Sequence, residues 1–248
     1  MSGQKIKMAW LGALFGLLAI HAVNASVIIY SDDFSGDGSS SLIGTTPDTA
    51  PGGEVWQGLT SGAQWTTDGA ITNEADQSRI AYLDFTPETG NVYTLTVDVT
   101  HINKLRAFYF GFLTDTPAEG ESFFTTGMAS PWMRIQGNGE TWAMITGSGG
   151  SGQTVAASGY TGQSNTMEII LDTTGVNWSV DWVLNGSSIQ TYTYAANPAI
   201  LSVGFGRLRE GTYDVDSFEL SVVPEPASLS LIVVCSTLLM IARRSINF

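Results

Sequence analysis

Three carboxylates near the end of the chain have a spacing that could cut a sugar–sugar bond. Asp214, Asp216 and Glu219 fall in one strand-like stretch. Glycoside hydrolysis needs two carboxyl groups flanking the scissile bond, about 5–5.5 Å apart when configuration is retained. A second acidic set points to a metal. Asp32, Asp33 and Asp37 lie in a Gly/Ser-rich loop just after the first strand-like run. If the first and last strands are neighbours, these three converge with Asp214 and Asp216, and Ca²⁺ takes roughly 6–8 such oxygen ligands. A third set is aromatic. Trp132 and Trp142 flank the Gly-Asn-Gly turn at 137–139, and Trp56 and Trp65 lie in loop-like sequence. Exposed aromatic faces beside polar groups form platforms on which a sugar ring stacks.

The remaining chemistry is thin. His101 is the sole histidine of residues 26–222, and its neighbours Thr100, Ile102 and Asn103 offer no triad. It reads as a strand-end polar residue. Zinc lacks ligands, since the chain has one cysteine, Cys235, and no second histidine near His101. Gly-Ser-Gly-Gly-Ser-Gly at 147–152 matches G-x-G-x-x-G, but no helix follows it, so it reads as a flexible loop. The Asp214, Asp216 and Glu219 set sits on the final strand, where carboxylates on a strand face are normally just solvated. The expectation is therefore no catalysis, with a glycosidase as the alternative.

These residues must be positioned by strands. At 92–100, Tyr93, Leu95, Val97 and Val99 alternate with polar residues. Met167, Ile169 and Leu171 repeat the pattern, as do Trp178, Val180, Trp182 and Leu184, which read as core. Asn185-Gly186 follows at once, a strong hairpin signal, with 189–194 as the returning strand. Leu201, Val203 and Phe205 alternate with Ser202, Gly204 and Gly206, and 106–113 is nearly continuously apolar. Tyr213 and Val215 have one parity and Phe218, Leu220 and Val222 the other, which requires a β-bulge near Asp216-Ser217. Many short strands and no helical periodicity predict an all-β sandwich or jelly roll over residues 26–222.

Charge divides the chain into three parts. Its 248 residues carry 23 acids against 10 bases, net −13, with only 13% charged. Lys5 and Lys7 at one end and Glu225, Arg243 and Arg244 at the other leave 22 acids and 6 bases between them, net −16. Such an acidic domain does not bind nucleic acid, where affinity comes from Lys and Arg on phosphates. An apolar fraction of 43% argues against disorder. Lys5 and Lys7, the uncharged run 8–20 and the small residues ending at Ala25 make residues 1–25 a signal peptide cut after Ala25, read by the Sec translocon. At the other end, Pro224, Glu225 and Pro226 precede the uncharged apolar run 227–242, which Arg243 and Arg244 close. As a helix at 1.5 Å per residue that run covers about 24 Å, short of a hydrocarbon core of about 30 Å. It predicts a marginal transmembrane helix with a cytoplasmic basic end.

The tail resembles the PEP-CTERM sorting signal of Gram-negative bacteria, also known as the ice-binding-protein C-terminal type. The residues that carry the likeness are Pro224, Glu225, Pro226, the apolar run and Arg243-Arg244. The resemblance implies an exosortase as processing partner, transient residence in the inner membrane, and an address at the cell surface or in the extracellular matrix. The middle is similar to laminin-G or concanavalin-like sandwiches of exported proteins. That likeness rests on Asp32-Asp33-Phe34-Ser35-Gly36, Gly44-Thr45-Thr46-Pro47-Asp48, Trp56, Asp181-Trp182-Val183-Leu184-Asn185-Gly186, Val203-Gly204-Phe205-Gly206 and Val215-Asp216-Ser217-Phe218. It implies a jelly roll with its terminal strands close together. Laminarinase-type glycosidases on this sandwich carry Glu-x-Asp-x-x-Glu, from which Asp214 departs at the first position. The expected protein is thus an exported, exosortase-sorted, non-catalytic β-sandwich. Its expected role is structural or carbohydrate-interacting, with extracellular polysaccharide as partner and Ca²⁺ as structural cofactor.

Overall fold

The computed structural model describes residues 25–35, 40–58, 66–67, 71–72, 79–101, 107–117, 129–136, 140–144, 153–156, 164–208 and 213–224. Within them there are strands and no helix. The signal segment before Ala25 and the expected helix 227–242 lie outside the described residues, as do Asp37, Trp65, the loop 147–152 and the tail residues Glu225, Pro226, Arg243 and Arg244. Val27–Val222 forms one compact unit.

The strands are β1 (Val27–Asp32), β2 (Ser40–Ser41), β3 (Gln57–Gly58), β4 (Thr66–Thr67), β5 (Ile71–Thr72), β6 (Arg79–Asp84), β7 (Asn91–His101) and β8 (Ala107–Leu113). They continue with β9 (Ala129–Gln136), β10 (Glu140–Met144), β11 (Gln153–Ala156), β12 (Ser164–Asp172), β13 (Ser179–Leu184), β14 (Ser187–Thr193), β15 (Ser202–Leu208) and β16 (Tyr213–Pro224). One sheet of nine runs β14-β13-β12-β7-β16-β5-β4-β2, with β1 also on β16. The other, of seven, runs β11-β10-β9-β8-β15-β6-β3. Packed face to face they make an all-β sandwich.

Alternation decides which face each strand buries. Tyr93, Leu95, Val97 and Val99 of β7 are buried, as are Met167, Ile169 and Leu171 of β12 and Val180, Trp182 and Leu184 of β13. Their register puts Val97 opposite Met167 and Met167 opposite Leu184, so apolar side chains form continuous rows. The β13–β14 hairpin turns on Asn185 and Gly186, both at positive φ (50° and 74°), the pair of left-handed residues a two-residue turn requires. From the seven-stranded sheet, Ala81, Leu83, Phe108, Phe110, Phe112, Met133, Ile135, Val203 and Phe205 close the same core.

The two terminal strands do pair, antiparallel, with Tyr30 opposite Leu220 and Asp32 opposite Phe218. The phase break of β16 is also present. Val215 and Phe218 are both buried, and the two residues between them are half-buried. Asp216 accepts a bond from Thr100 and Ser217 donates one to Asp98, so both face the outside, the double occupancy a bulge produces.

Trp56 corrects one expectation. It is 1% exposed and stands in the centre of the core, with ring centroids 5.2 Å from Phe205 and 5.1 Å from Phe218. Its indole N–H donates to the Asp32 carboxylate at 2.6 Å. A ring enclosed in this way cannot serve as a sugar platform. Asp32 also accepts from the backbone N–H of Phe34 at 2.9 Å, and Phe34 adopts a left-handed φ of 54° to place its own ring in the core. The acid-rich opening loop is therefore tied into the core through Asp32 and Phe34.

Candidate functional site

The carboxylates of β16 lie on the outer face of the nine-stranded sheet, away from the core. Asp214, Asp216 and Glu219 are each half-buried there. Their neighbours are hydroxyls and further acids. Thr100 on β7 donates to Asp216 at 2.9 Å. Asp98 accepts from Thr166 on β12 at 2.6 Å and from Ser217 on β16 at 2.8 Å, bridging three strands. Burial, then the charge of Asp216, pushes the Asp214 carboxyl upward. Burial, then Asp98, does the same to Glu168 on β12. This face is a hydrogen-bonded strip of hydroxyls and carboxylates.

The metal candidates divide differently from the expectation. Asp32 and Asp33 meet Asp48, with one carboxylate oxygen from each lying within 4.8 Å of the others. A short bridge brings Asp48 in, since Ser31 and Thr49 exchange backbone bonds of 3.2 and 3.0 Å. The Asp33 N–H then donates to Asp48 at 3.0 Å. Asp214 and Asp216 do not join. Asp32 turns inward opposite Phe218, whereas Asp216 turns outward toward Thr100, so the sheet stands between them. Burial raises the Asp32 carboxyl above its ordinary range despite bonds from Trp56 and Phe34, and Asp48 and Asp33 raise it further. Asp33, whose carboxylate accepts from Ser35, is lowered. Each carboxylate oxygen has two lone pairs, so Asp32 keeps acceptor capacity beyond its two bonds. Three converging carboxylates suit a hard cation, with the rest of its shell left to carbonyls or water.

The outer face of the seven-stranded sheet is built from other residues. Across it, Gln57, Tyr82, Gly204, Gly111 and Trp132 form one row by register, on β3, β6, β15, β8 and β9 in turn. The next row is Ile80, Gly206, Tyr109 and Arg134, with Trp142 of β10 continuing it in register. Two buried glycines side by side separate Tyr82 from Trp132 by three strand spacings, about 14 Å. The glycines are obligatory for packing. A Cβ on Gly204 would meet the Ala81 carbonyl oxygen and stand 2.8 Å from Tyr82 Cα, and one on Gly111 would stand 2.5 Å from the Pro131 oxygen.

Trp132 and Tyr109 on this face are fully enclosed, together with Ile80, Leu113 and Ala129. Trp132 corrects a second expectation: enclosed in this way it cannot serve as a sugar platform, and its carbonyl accepts from the Trp182 indole at 3.0 Å. Tyr82 is half-buried and so still reaches solvent. Beside it on the same face are the half-buried Gln57 and the exposed Asp84. Burial and the Asp84 charge raise the Tyr82 phenol. An aromatic ring with an amide, a carboxylate and a side-chain-free strand around it can stack on a sugar and bond its hydroxyls. Sequence reading missed Tyr82, Gln57, Asp84 and Asp48. Glycine at every second position of β15 was the available signal for a face kept clear of side chains.

No protein-family model matches the chain, and no curated protein sequence matches it. Solved structures do. The chain is similar to an endo-1,3-beta-glucanase from Streptomyces sioyaensis, with TM-score 0.56 and 15% identity over 80% of this chain and 97% of that one. The carbohydrate recognition domain of Emp47p gives 0.54 and 11%, over 82% and 98% of the two chains. A protein of unknown function with a galectin-like fold from Bacillus subtilis gives 0.52 and 12%, over 80% and 97%. At these identities the likeness is one of fold: a concanavalin- or galectin-like sandwich.

Proposed function

We propose that this chain is an exported, exosortase-sorted surface or matrix protein whose sandwich binds polysaccharide and does not cut it. The observation that carries the binding reading is the Tyr82 corner of the seven-stranded sheet, where a solvent-reaching ring stands beside Gly204, Gln57 and Asp84. The fold supports it, because a glucanase and a carbohydrate recognition domain share this sandwich. The non-catalytic part is supported by Asp216 of β16, whose carboxylate is already engaged by the Thr100 hydroxyl. Sorting is supported by the tail sequence from Pro224 to Arg244 and the signal ending at Ala25.

The test is a glycan array followed by calorimetry on the polysaccharide that binds. Tyr82→Ala should weaken binding about tenfold, since an aromatic contact contributes up to about 1.5 kcal/mol. Reducing ends should not accumulate in the same mixtures. An array without signal, or hydrolysis that disappears in Glu219→Gln, overturns the reading. Mass spectrometry of protein recovered from the cell surface should find Ser26 as the first residue and Arg243-Arg244 removed.

Structural calcium belongs to the same proposal, and the converging carboxylates of Asp32, Asp33 and Asp48 support it as the ligand set. The melting midpoint should rise with calcium and fall with chelator. Equal midpoints rule the ion out.

A further inference from the structure

The Tyr82 corner holds negative charge with no cation beside it among the described residues. Asp84 follows Tyr82 by two residues on β6, lies on the same outer face, and is exposed. Its backbone carbonyl accepts from the Tyr30 phenol at 2.7 Å, while among the described residues no donor reaches its carboxylate. Glu54 stands at the same phenol. Burial, then the nearby Glu54 carboxylate and after it Asp84, push the Tyr30 hydroxyl up to about 12. Both carboxylates therefore act on one hydroxyl at the Asp84 end of β6. The bases stand elsewhere. Arg134 of β9 belongs to this face but is buried, three strand spacings from β6 or about 14 Å. Arg79 and Arg207 take the other parity of β6 and β15, that of Ala81 and Phe205.

We propose, resting on the reading that this corner binds polysaccharide, that its ligand class is an amine-bearing sugar, a free hexosamine whose ring stacks on Tyr82 and whose ammonium meets Asp84. A neutral sugar can donate hydroxyls to Asp84 but leaves its charge uncompensated. A uronic or sulfated sugar brings a further negative charge to a corner that already has two, which opposes binding. An ammonium both donates N–H bonds and cancels the charge, and such charge-assisted bonds are about twice as strong as neutral ones. Gln57, across from Tyr82 on β3, supplies an amide that can donate to and accept from the remaining ring hydroxyls. The net −16 of the domain draws a polycation in from farther away, without choosing where on the surface it lands. Asp84 makes that choice, because it stands beside a ring that reaches solvent.

Calorimetry of the full chain against a glucosamine trimer and a glucose trimer of the same linkage separates charge from shape, since the two differ by an amine in place of a hydroxyl. The amine trimer should bind about fivefold tighter, the gain of an exposed ion pair. Asp84→Asn should remove that preference and leave the glucose trimer unchanged. Asp181→Asn, on β13 of the other sheet, takes the same charge from the domain and should keep the preference. Unchanged melting curves establish that both variants fold, and Asp84→Ser serves if Asp84→Asn lowers the midpoint. Equal binding of the two trimers, a preference that survives in Asp84→Asn, or one that Asp181→Asn also removes overturns the proposal and leaves the binding reading standing. A chain that binds neither trimer and gives no signal on a glycan array overturns both, and one that binds only other sugars overturns the amine alone.

Discussion

The two outer faces of this sandwich use opposite materials. The nine-stranded sheet presents hydroxyls and carboxylates: Thr100, Thr166 and Ser217 donating to Asp98 and Asp216, with Glu168 and Asp214 beside them. The seven-stranded sheet presents glycines between aromatic walls: Gly111 and Gly204 between Tyr82 and Trp132. The first face is held together by side chains and is wet. The second is held together by the absence of side chains and is mostly enclosed. The carboxylates whose spacing suggests catalysis thus lie among the hydroxyls of the wet face, while the recognition surface we propose lies on the other sheet.

The contrast makes the faces unequal under substitution. The largest effect should come from Gly204→Ala. Its Cβ has backbone on two sides, and overpacking of this kind costs about 1–3 kcal/mol. Thr96→Ala, half-buried on the wet face, should stay within about 0.5 kcal/mol. Urea titration of both variants measures the difference, and equal losses would erase the distinction between the faces. Next comes binding. Tyr82→Ala should lower polysaccharide affinity about tenfold while Glu219→Gln leaves it unchanged, read by calorimetry. A smaller loss, about 1 kcal/mol of stability, is expected for Asp98→Ala, which strands the Thr166 and Ser217 hydroxyls at half-exposed positions where water replaces part of the bond.

How much of this could be read beforehand depended on whether a strand has one dry face or two. β7, β12 and β13 are dry on one side, so Val97, Met167 and Trp182 alternate with polar residues and were legible. β9, and β6 at its Ile80 end, are dry on both sides, with Ile80, Ala81 and Leu83, and Trp132, Met133 and Ile135, all enclosed. Such strands lose their alternation and look like any apolar run. The site was harder still. The glycines of β15 were visible, but the ring beside them, Tyr82, comes from one of those two unread strands. Asp48 was missed because a Ser31–Thr49 bridge, not local spacing, brings it to Asp33. Trp56 was misplaced because loop-like sequence gave no sign that Asp32 would accept its indole N–H from inside the core.

The smallest expected effect is the response to pH, and its sign separates the faces again. Burial and like-charged neighbours raise the Asp214 and Glu168 carboxyls above their ordinary values of 3.8 and 4.5. A raised acid is protonated more readily in the folded chain than in the unfolded one. Its stabilising contribution is therefore complete below the ordinary values and is lost as pH rises through the raised ones. The melting midpoint should climb as pH is lowered from 7 toward about 4. Asp33, which is lowered, does not oppose this, because its contribution disappears only below 3.8. Asp32 shifts in the same direction as the wet-face acids, so the double variant Glu168→Gln, Asp214→Asn is needed to isolate them. It should flatten part of the climb. The seven-stranded face responds at the other end of the scale, where the raised Tyr82 phenol loses its contribution only above pH 10. A double variant with the full wild-type slope would place the acid response at Asp32 instead, inside the core and not on the wet face.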